Sequence, residues 1–155
     1  MSTSKADLPK KISATGKITA DLNELGKYDG EARKFQTNGK VVFFQARHQI
    51  SPTEWNNMSL RFQIDIVNGR HFFNSNSLVS PPSFSKLSNN GNIIITYPAK
   101  PDEGYVDITF DKEKGTLKAA FNYTFEHNSL QVVGDIVNGQ GMEYVEVLAE
   151  VGEAV

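Results

Sequence analysis

Apolar and polar residues alternate along much of the chain. The pattern is clearest in residues 117–125 and recurs in residues 12–22, 60–66 and 106–110. Successive side chains of a β-strand face opposite sides, so a period of two gives each strand one buried and one solvated face. That division is typical of antiparallel sheets and not of parallel ones. The pattern therefore predicts an all-β protein with antiparallel strands.

Short turn sequences separate the predicted strands. Asn38-Gly39 and Asn68-Gly69 favour tight type I′ hairpins, because both residue types tolerate positive φ. Residues 111–115 (DKEKG) favour a type I turn closed by a left-handed glycine, and residues 126–129 and 138–141 supply two further reversals. We count about nine strands at the spacing expected of a sandwich or a barrel.

These elements predict an antiparallel β-sandwich, jelly-roll-like, that occupies residues 11–151 as a single domain. The termini, residues 1–10 and 152–155, are predicted to be flexible. A closed β-barrel is the alternative architecture, because alternation alone does not separate the two. The interior is expected to be built on the inward positions Ile12, Ile18, Val42, Phe44, Leu60, Phe62, Ile64, Ile66, Ile93, Ile95, Val106, Ile108, Phe110, Leu117, Phe121, Phe125, Val132, Ile136, Val145 and Val147.

Two segments depart from the strand pattern. Residues 51–54 (SPTE) resemble a helix start, with a capping serine, a proline at the first helical position and a glutamate three residues after the cap. They predict one short helical turn near 52–57. Residues 74–91 are rich in Ser, Asn and Pro, and we expect a long loop there that lies over the core.

One stretch of sequence occurs twice. Residues 59–69 (SLRFQIDIVNG) and 129–139 (SLQVVGDIVNG) agree at seven of eleven positions, at an offset of 70. The repeat reflects either an internal duplication with two equivalent hairpins or the independent use of similar strand and turn residues. Equivalent neighbouring strands in the structure would favour duplication, and unrelated neighbours would exclude it.

Composition excludes several classes of partner and site. The 155 residues carry a net charge of −2, without the basic excess that nucleic-acid binding requires, and contain no cysteine for disulfides or thiolate metal sites. The longest apolar runs fall far short of the roughly 20 residues that span a bilayer, and the start lacks the apolar stretch of a secretory signal. We therefore predict a cytoplasmic protein, unless it is exported without a leader, with neither nucleic-acid nor membrane partners.

No catalytic template fits the sequence. There is no nucleophile elbow, phosphate-binding loop or dinucleotide fingerprint. The histidines His48, His71 and His127 are far apart and form no metal-ligand pair. We predict no catalytic residue, no metal and no cofactor.

Two aromatic residues are candidates for ligand binding. Trp55 lies among polar residues between two predicted strands, where it either caps the core or offers an exposed indole. An exposed indole would stack on a sugar ring or receive an anchor residue of a protein partner. Tyr97 is a second candidate of the same kind.

Two carboxylate–amide pairs are further candidates. Asp65 and Asp135 each precede an Asn-Gly dipeptide, at Asn68 and Asn138, by three residues. A carboxylate acceptor beside an amide could hydrogen-bond adjacent sugar hydroxyls.

Three functions compete at this point. The first is a non-catalytic binding module that engages a ligand, carbohydrate among the classes considered, or a protein partner through its loop ends. The second is a closed barrel that holds a small apolar ligand, with isomerase or hydrolase activity. The third is a self-assembling structural protein, a homo-oligomer whose edge strands or uncovered faces pair with other copies.

Overall fold

The computed structural model describes residues 14–74 and 78–148, and these form an almost entirely β structure. Eleven strands follow one another along the chain: β1 Thr15–Asp21, β2 Lys27–Thr37, β3 Val41–Ser51, β4 Glu54–Gln63, β5 Gly69–Phe72, β6 Ser83–Ser88, β7 Ile93–Tyr97, β8 Tyr105–Asp111, β9 Thr116–Thr124, β10 Gln131–Gln140 and β11 Glu143–Tyr144. The prediction of an all-β fold is confirmed.

All strands belong to one sheet, in the order β5-β8-β9-β10-β1-β2-β3-β4-β6-β7. Every pairing along this path is antiparallel, and the short β11 pairs in parallel with β2. The sheet curls into a half-barrel rather than the predicted two-layer sandwich, and it has eleven strands where about nine were predicted. The jelly-roll topology is not confirmed. Alternation shows that one face of each strand is dry, but it does not distinguish two stacked sheets from one sheet that bends around its own core.

The chain after β7 contacts the end of β9, across the concave side of the sheet. Beyond β7 the backbone N–H of Lys100 donates to the carbonyl of Thr124 at 2.8 Å, and the N–H of Glu126 donates to the carbonyl of Pro98 at 2.8 Å. These bonds surround an isolated bridge between Ala99 and Phe125. The chain after β7 is therefore fastened to the end of β9, while β7 itself stays at the edge.

The concave side is filled by large apolar side chains. Rings dominate it, with edge-to-face pairs such as Phe35–Phe44 at 5.3 Å and Phe62–Phe110 at 5.1 Å between centroids. Most predicted core positions are buried in this cluster, and Ile64 is partly buried against it.

Four predicted core positions differ. Ile93 and Ile95 are about half exposed on the edge strand β7, and Val147 is 83% exposed beyond β11. Val145 is only partly buried. Ile12, like the predicted flexible termini, lies outside the described residues.

Three of the predicted reversals are confirmed and two are wrong. Residues 38–40 join β2 to β3, although only Gly39 of the Asn-Gly pair has positive φ, so the turn is not type I′. The turns at 111–115 and 126–129 are present as predicted. Asn68-Gly69 forms no hairpin, because β5 begins at Gly69 and pairs with β8 instead of β4. Asn138, with φ of 54°, forms an irregularity inside β10 rather than a reversal.

The predicted helical turn near 52–57 is wrong. Residues 52 and 53 form a tight turn and β4 begins at Glu54, so the proline and glutamate serve a hairpin. The helical segment within the described part of the chain is a 3-10 turn at Asn23–Leu25. The predicted loop 74–91 is also interrupted, since β6 lies within it and buries Phe84 and Leu87.

The repeated stretches are not equivalent. Residues 59–63 end β4 and the chain then leaves the sheet, whereas residues 131–139 all belong to β10. The strand β4 lies between β3 and β6, but β10 lies between β9 and β1. Neither repeat forms the expected hairpin, which excludes the duplication hypothesis in the form we stated.

Candidate functional site

The strand β7 is the most unusual surface feature of the sheet. It pairs with β6 over five residues without a bulge, and no strand among the described residues pairs with its other side. Ile93, Ile94 and Ile95 are 50%, 48% and 53% exposed, so apolar side chains protrude on both faces of this edge. An exposed, regular, apolar edge strand is a template on which another strand can pair.

The direction of the backbone groups on the open side of β7 follows from the residues just after it. The carbonyl of Pro98 and the N–H of Lys100 are hydrogen-bonded to the end of β9, so they point away from β6. Backbone groups of successive strand residues point alternately to the two sides. The N–H and C=O groups of Ile94 and Thr96 therefore also point away from β6.

A cleft of about 560 Å³ adjoins this edge, lined by Ile95, Thr96, Tyr97, Pro98, Glu126 and His127. One wall is the end of β7 and the other is the turn between β9 and β10. We call it the β7 cleft. Its apolar wall faces an exposed carboxylate and an imidazole, so it combines a hydrophobic contact with polar hydrogen-bonding groups.

Tyr97 lines the β7 cleft and packs against two buried phenylalanines. Its ring centroid lies 5.5 Å from that of Phe84 and 5.6 Å from that of Phe125. The Nζ atom of Lys86 lies 5.7 Å from the Tyr97 ring centroid. Since two buried phenylalanines pack against this ring, an incoming side chain would contact an aromatic surface that the core supports.

The opposite edge of the sheet is different in character. Strand β5 has four residues, and Arg70 within it donates two hydrogen bonds to Asp107 of β8, at 2.8 and 3.0 Å. The Arg70 guanidinium lies 3.9 Å from the Tyr105 ring centroid. A short edge strand that carries a charge resists the addition of another strand.

Trp55 was predicted either to cap the core or to offer an exposed indole, and the structure shows it buried. The indole is 7% exposed, on the outer face of β4 beside Leu87 of β6, and the Arg47 guanidinium lies 4.4 Å from its centroid. Trp55 is thus buried on the outer face of β4 together with Leu87, its cross-strand neighbour on β6. A sugar ring has no access to its face in this arrangement.

The two carboxylate–amide pairs lie in different parts of the fold. The Asn68 side-chain oxygen accepts a hydrogen bond from the Phe110 N–H at 2.8 Å, which anchors the start of β5, and Asp65 is exposed in the preceding loop. Asp135 lies on the outer face of β10 in a shallow groove of about 360 Å³. Asn138 lies farther along the same strand. Of the predicted site residues, Tyr97 alone lines the β7 cleft.

We searched the described residues for metal-binding clusters, histidine contacts and membrane-spanning helices. No group of three or more His, Asp or Glu side chains there could hold a metal ion. The Nδ1 atom of His48 accepts a hydrogen bond from the Asp29 N–H at 3.3 Å, and the Nε2 atom of His71 lies 2.6 Å from the Val67 carbonyl oxygen. No helix in the same ranges has the length and apolar character needed to cross a membrane.

Sequence reasoning missed Ile94, Glu126 and His127 as site residues. The signal was the run Ile93-Ile94-Ile95, which is apolar at consecutive positions and therefore breaks the alternation seen elsewhere. Comparison with models of protein families, with curated proteins and with solved structures gives no match, so the site stands on its geometry alone.

Proposed function

We propose that this chain is a non-catalytic protein-binding module that accepts an extended polypeptide strand along β7. One observation carries the proposal: β7 is a free, regular edge strand with three consecutive half-exposed isoleucines. In strand addition, main-chain hydrogen bonds give affinity and pockets for alternate side chains give specificity. The edge supplies the first of these and the β7 cleft supplies the second.

The added strand would use the backbone groups of Ile94 and Thr96. Its side chains would cover Ile93 and Ile95 on the concave side and Ile94 on the outer side, and so remove apolar surface from water. A side chain at the end nearest Tyr97 would enter the β7 cleft, where Glu126 favours a hydrogen-bond donor or a cation. Specificity would then come from this one position.

The competing functions have less support in the geometry. A barrel that holds an apolar ligand needs an empty interior, whereas Phe35, Phe44 and Phe62 fill the concave side. Stacking of a sugar ring on Trp55 needs an indole face open to solvent, and this indole is 7% exposed. Self-assembly would use the same edge as strand addition.

A proline at position 96 tests the proposal directly. Because the Thr96 N–H points away from β6, Thr96→Pro removes a donor for the added strand and leaves the pairing of β7 with β6 intact. The matched control is Thr96→Val, which keeps the N–H and loses the same hydroxyl hydrogen bond with Ser85. Random dodecapeptides displayed on phage would be selected on the wild-type chain, and the selected peptides would be titrated against all three proteins.

We expect selected peptides to bind the wild type and Thr96→Val alike and to lose at least roughly tenfold in affinity on Thr96→Pro. Peptides that bind Thr96→Pro as well as the wild type would refute strand addition at β7. Recovery of no peptide dependent on Thr96 would refute it as well.

A further inference from the structure

We propose that the strand which pairs with β7 is β7 of a second copy of this chain, antiparallel and related by a twofold axis that passes beside Ile95. This inference rests on the proposed strand addition and names its partner. The sheet would then continue from one copy into the other through a β7–β7′ pair. Such an interface is isologous, with the same patch used on both copies.

The charge pattern of the edge favours a copy of itself. Residues 93–97 (IIITY) contain no charge and no proline, so no like charges meet when the strand pairs with itself. Lys86 of β6 lies opposite Ile95, and two copies of it would be separated by three strand spacings. That distance is about 14 Å, well beyond the Debye length of about 8 Å at physiological salt. On β5, by contrast, self-pairing would bring two copies of Arg70 together.

The hydrogen-bonding groups fit a twofold axis at Ile95. In that register Ile95 lies opposite Ile95 of the second copy as a pair without mutual hydrogen bonds, and Ile94 lies opposite Thr96 on each side. Each Ile94–Thr96 pair exchanges two hydrogen bonds, which gives four in total and uses the groups that point away from β6. The register therefore satisfies the free backbone groups at these two positions in both copies.

The side chains and the cleft fit the same register. Ile93 of one copy lies opposite Tyr97 of the other, so the concave side of the pair is apolar throughout. The residues before Ile93 in the second copy, the turn Asn89–Asn92, then lie beside Glu126 and His127 at the β7 cleft. Asparagine amides are neutral donors and acceptors, so they can hydrogen-bond a carboxylate and an imidazole without repulsion.

Ile95→Lys is the test, with Ile50→Lys as a matched control. The two isoleucines are equally exposed, 53% each, but Ile50 lies near the end of β3, away from the β7 edge. Two lysines opposite each other across the axis repel, so we expect Ile95→Lys to weaken dimerisation at least roughly tenfold and Ile50→Lys to leave it unchanged. Sedimentation velocity over a concentration series, from low micromolar to several hundred micromolar, measures the dissociation constant.

Hydrogen exchange gives a second readout that does not depend on a lysine at the edge. The amides of Ile94 and Thr96 should become more protected as protein concentration rises, and those of Thr109 and Lys118, paired within the sheet, should not change. Thr96→Pro and Thr96→Val supply a second pair of variants for sedimentation, should Ile95→Lys fail to fold. Only the proline should weaken the dimer.

The outcomes separate this inference from the proposed function. A chain that stays monomeric at every concentration, but binds selected peptides in a Thr96-dependent way, overturns self-pairing and leaves strand addition in place. A dimer that tolerates both Ile95→Lys and Thr96→Pro has another interface and also overturns the inference. A monomer with no Thr96-dependent peptide overturns both.

Discussion

Two buried tyrosines should respond in opposite ways to the same substitution. Tyr28 and Tyr123 are each 1% exposed. The Tyr28 hydroxyl donates to the carbonyl of Ala46 at 2.8 Å. The Tyr123 hydroxyl has no hydrogen-bond partner among the described residues. Replacement by phenylalanine removes one oxygen in both cases and keeps the ring, so the hydrogen bond is the main difference between the variants.

The magnitudes follow from the two environments. Tyr28→Phe should lower the free energy of unfolding by about 0.5–1.5 kcal/mol, the net value of a typical hydrogen bond. A buried hydroxyl without a partner costs about 1–3 kcal/mol, so Tyr123→Phe should recover part of that cost. Its ring contacts with Phe121 and Phe125 are unaffected. We expect Tyr123→Phe to match or exceed the wild type in stability, and the two variants to differ by about 1–3 kcal/mol.

The pH dependence provides a further check on the same residues. Burial raises the pKa of both phenols far above the ordinary value of 10.0. Below that pH the phenols are protonated in both the folded and the unfolded protein, so the free energy of unfolding does not depend on their titration. Above it the unfolded state loses protons first, so stability falls as pH rises, by up to about 1.4 kcal/mol per pH unit for each tyrosine. Either phenylalanine variant should remove one of these two contributions.

Urea denaturation followed by the fluorescence of Trp55, the one tryptophan of the chain, measures these differences at neutral pH and above pH 10. All variants should be compared at one protein concentration, because association through β7 would make apparent stability concentration-dependent. If Tyr123→Phe is as destabilising as Tyr28→Phe, the Tyr123 hydroxyl is hydrogen-bonded and this description of the core is wrong.

Three further predictions concern other parts of the fold. Phe62→Ala, in the middle of the core, should lower the free energy of unfolding by about 3–5 kcal/mol, and a loss below about 1 kcal/mol in urea denaturation would mean that the face assignment is wrong. Hydrogen bonding from Arg70 holds the pKa of Asp107 below its ordinary value of 3.8. The ion pair therefore stabilises the fold at any pH above the pKa that Asp107 has in the unfolded chain. This contribution is lost as the pH falls through the lower pKa of the folded state. Arg70→Ala should raise the Asp107 pKa in an NMR titration, and an unchanged value would contradict the ion pair. Gly104 has φ of 95° and an added Cβ would clash with the Asn122 carbonyl oxygen. Gly104→Ala should therefore lower the melting temperature measured by thermal denaturation. An unchanged melting temperature would mean that the backbone at Gly104 has another conformation.

The alternation of residues predicted the local structure well. Leu117, Phe121 and Phe125 are all buried, as predicted. A period of two identifies the side chains that share one face of a strand. The turn at 111–115 was also predicted correctly. The Asp111 carboxylate stabilises it by accepting hydrogen bonds from the N–H groups of Glu113 and Lys114. Both features depend only on neighbours in sequence.

Strand partners depend on distant residues, and there the sequence was a poorer guide. Asn68 tolerates a tight turn, yet its side chain instead accepts a hydrogen bond from Phe110, and β5 pairs with β8. Asn138 uses the same tolerance of positive φ within β10. Local conformational freedom shows where the backbone can bend, but the long-range pairing decides whether it forms a hairpin, a loop or a bulge.

The candidate site shows why an error in the predicted core is informative. Three consecutive isoleucines are typical of a strand buried on both faces in the middle of a sheet. The structure instead places them on the edge strand β7, with one neighbour on one side and about half of each side chain exposed. Isolated exposed residues such as Ile50 need no explanation, but an uncharged edge strand that is apolar on both faces invites aggregation unless something pairs with it. The sequence of β7 suits a central strand, and a second copy of β7 across the open edge would make it one.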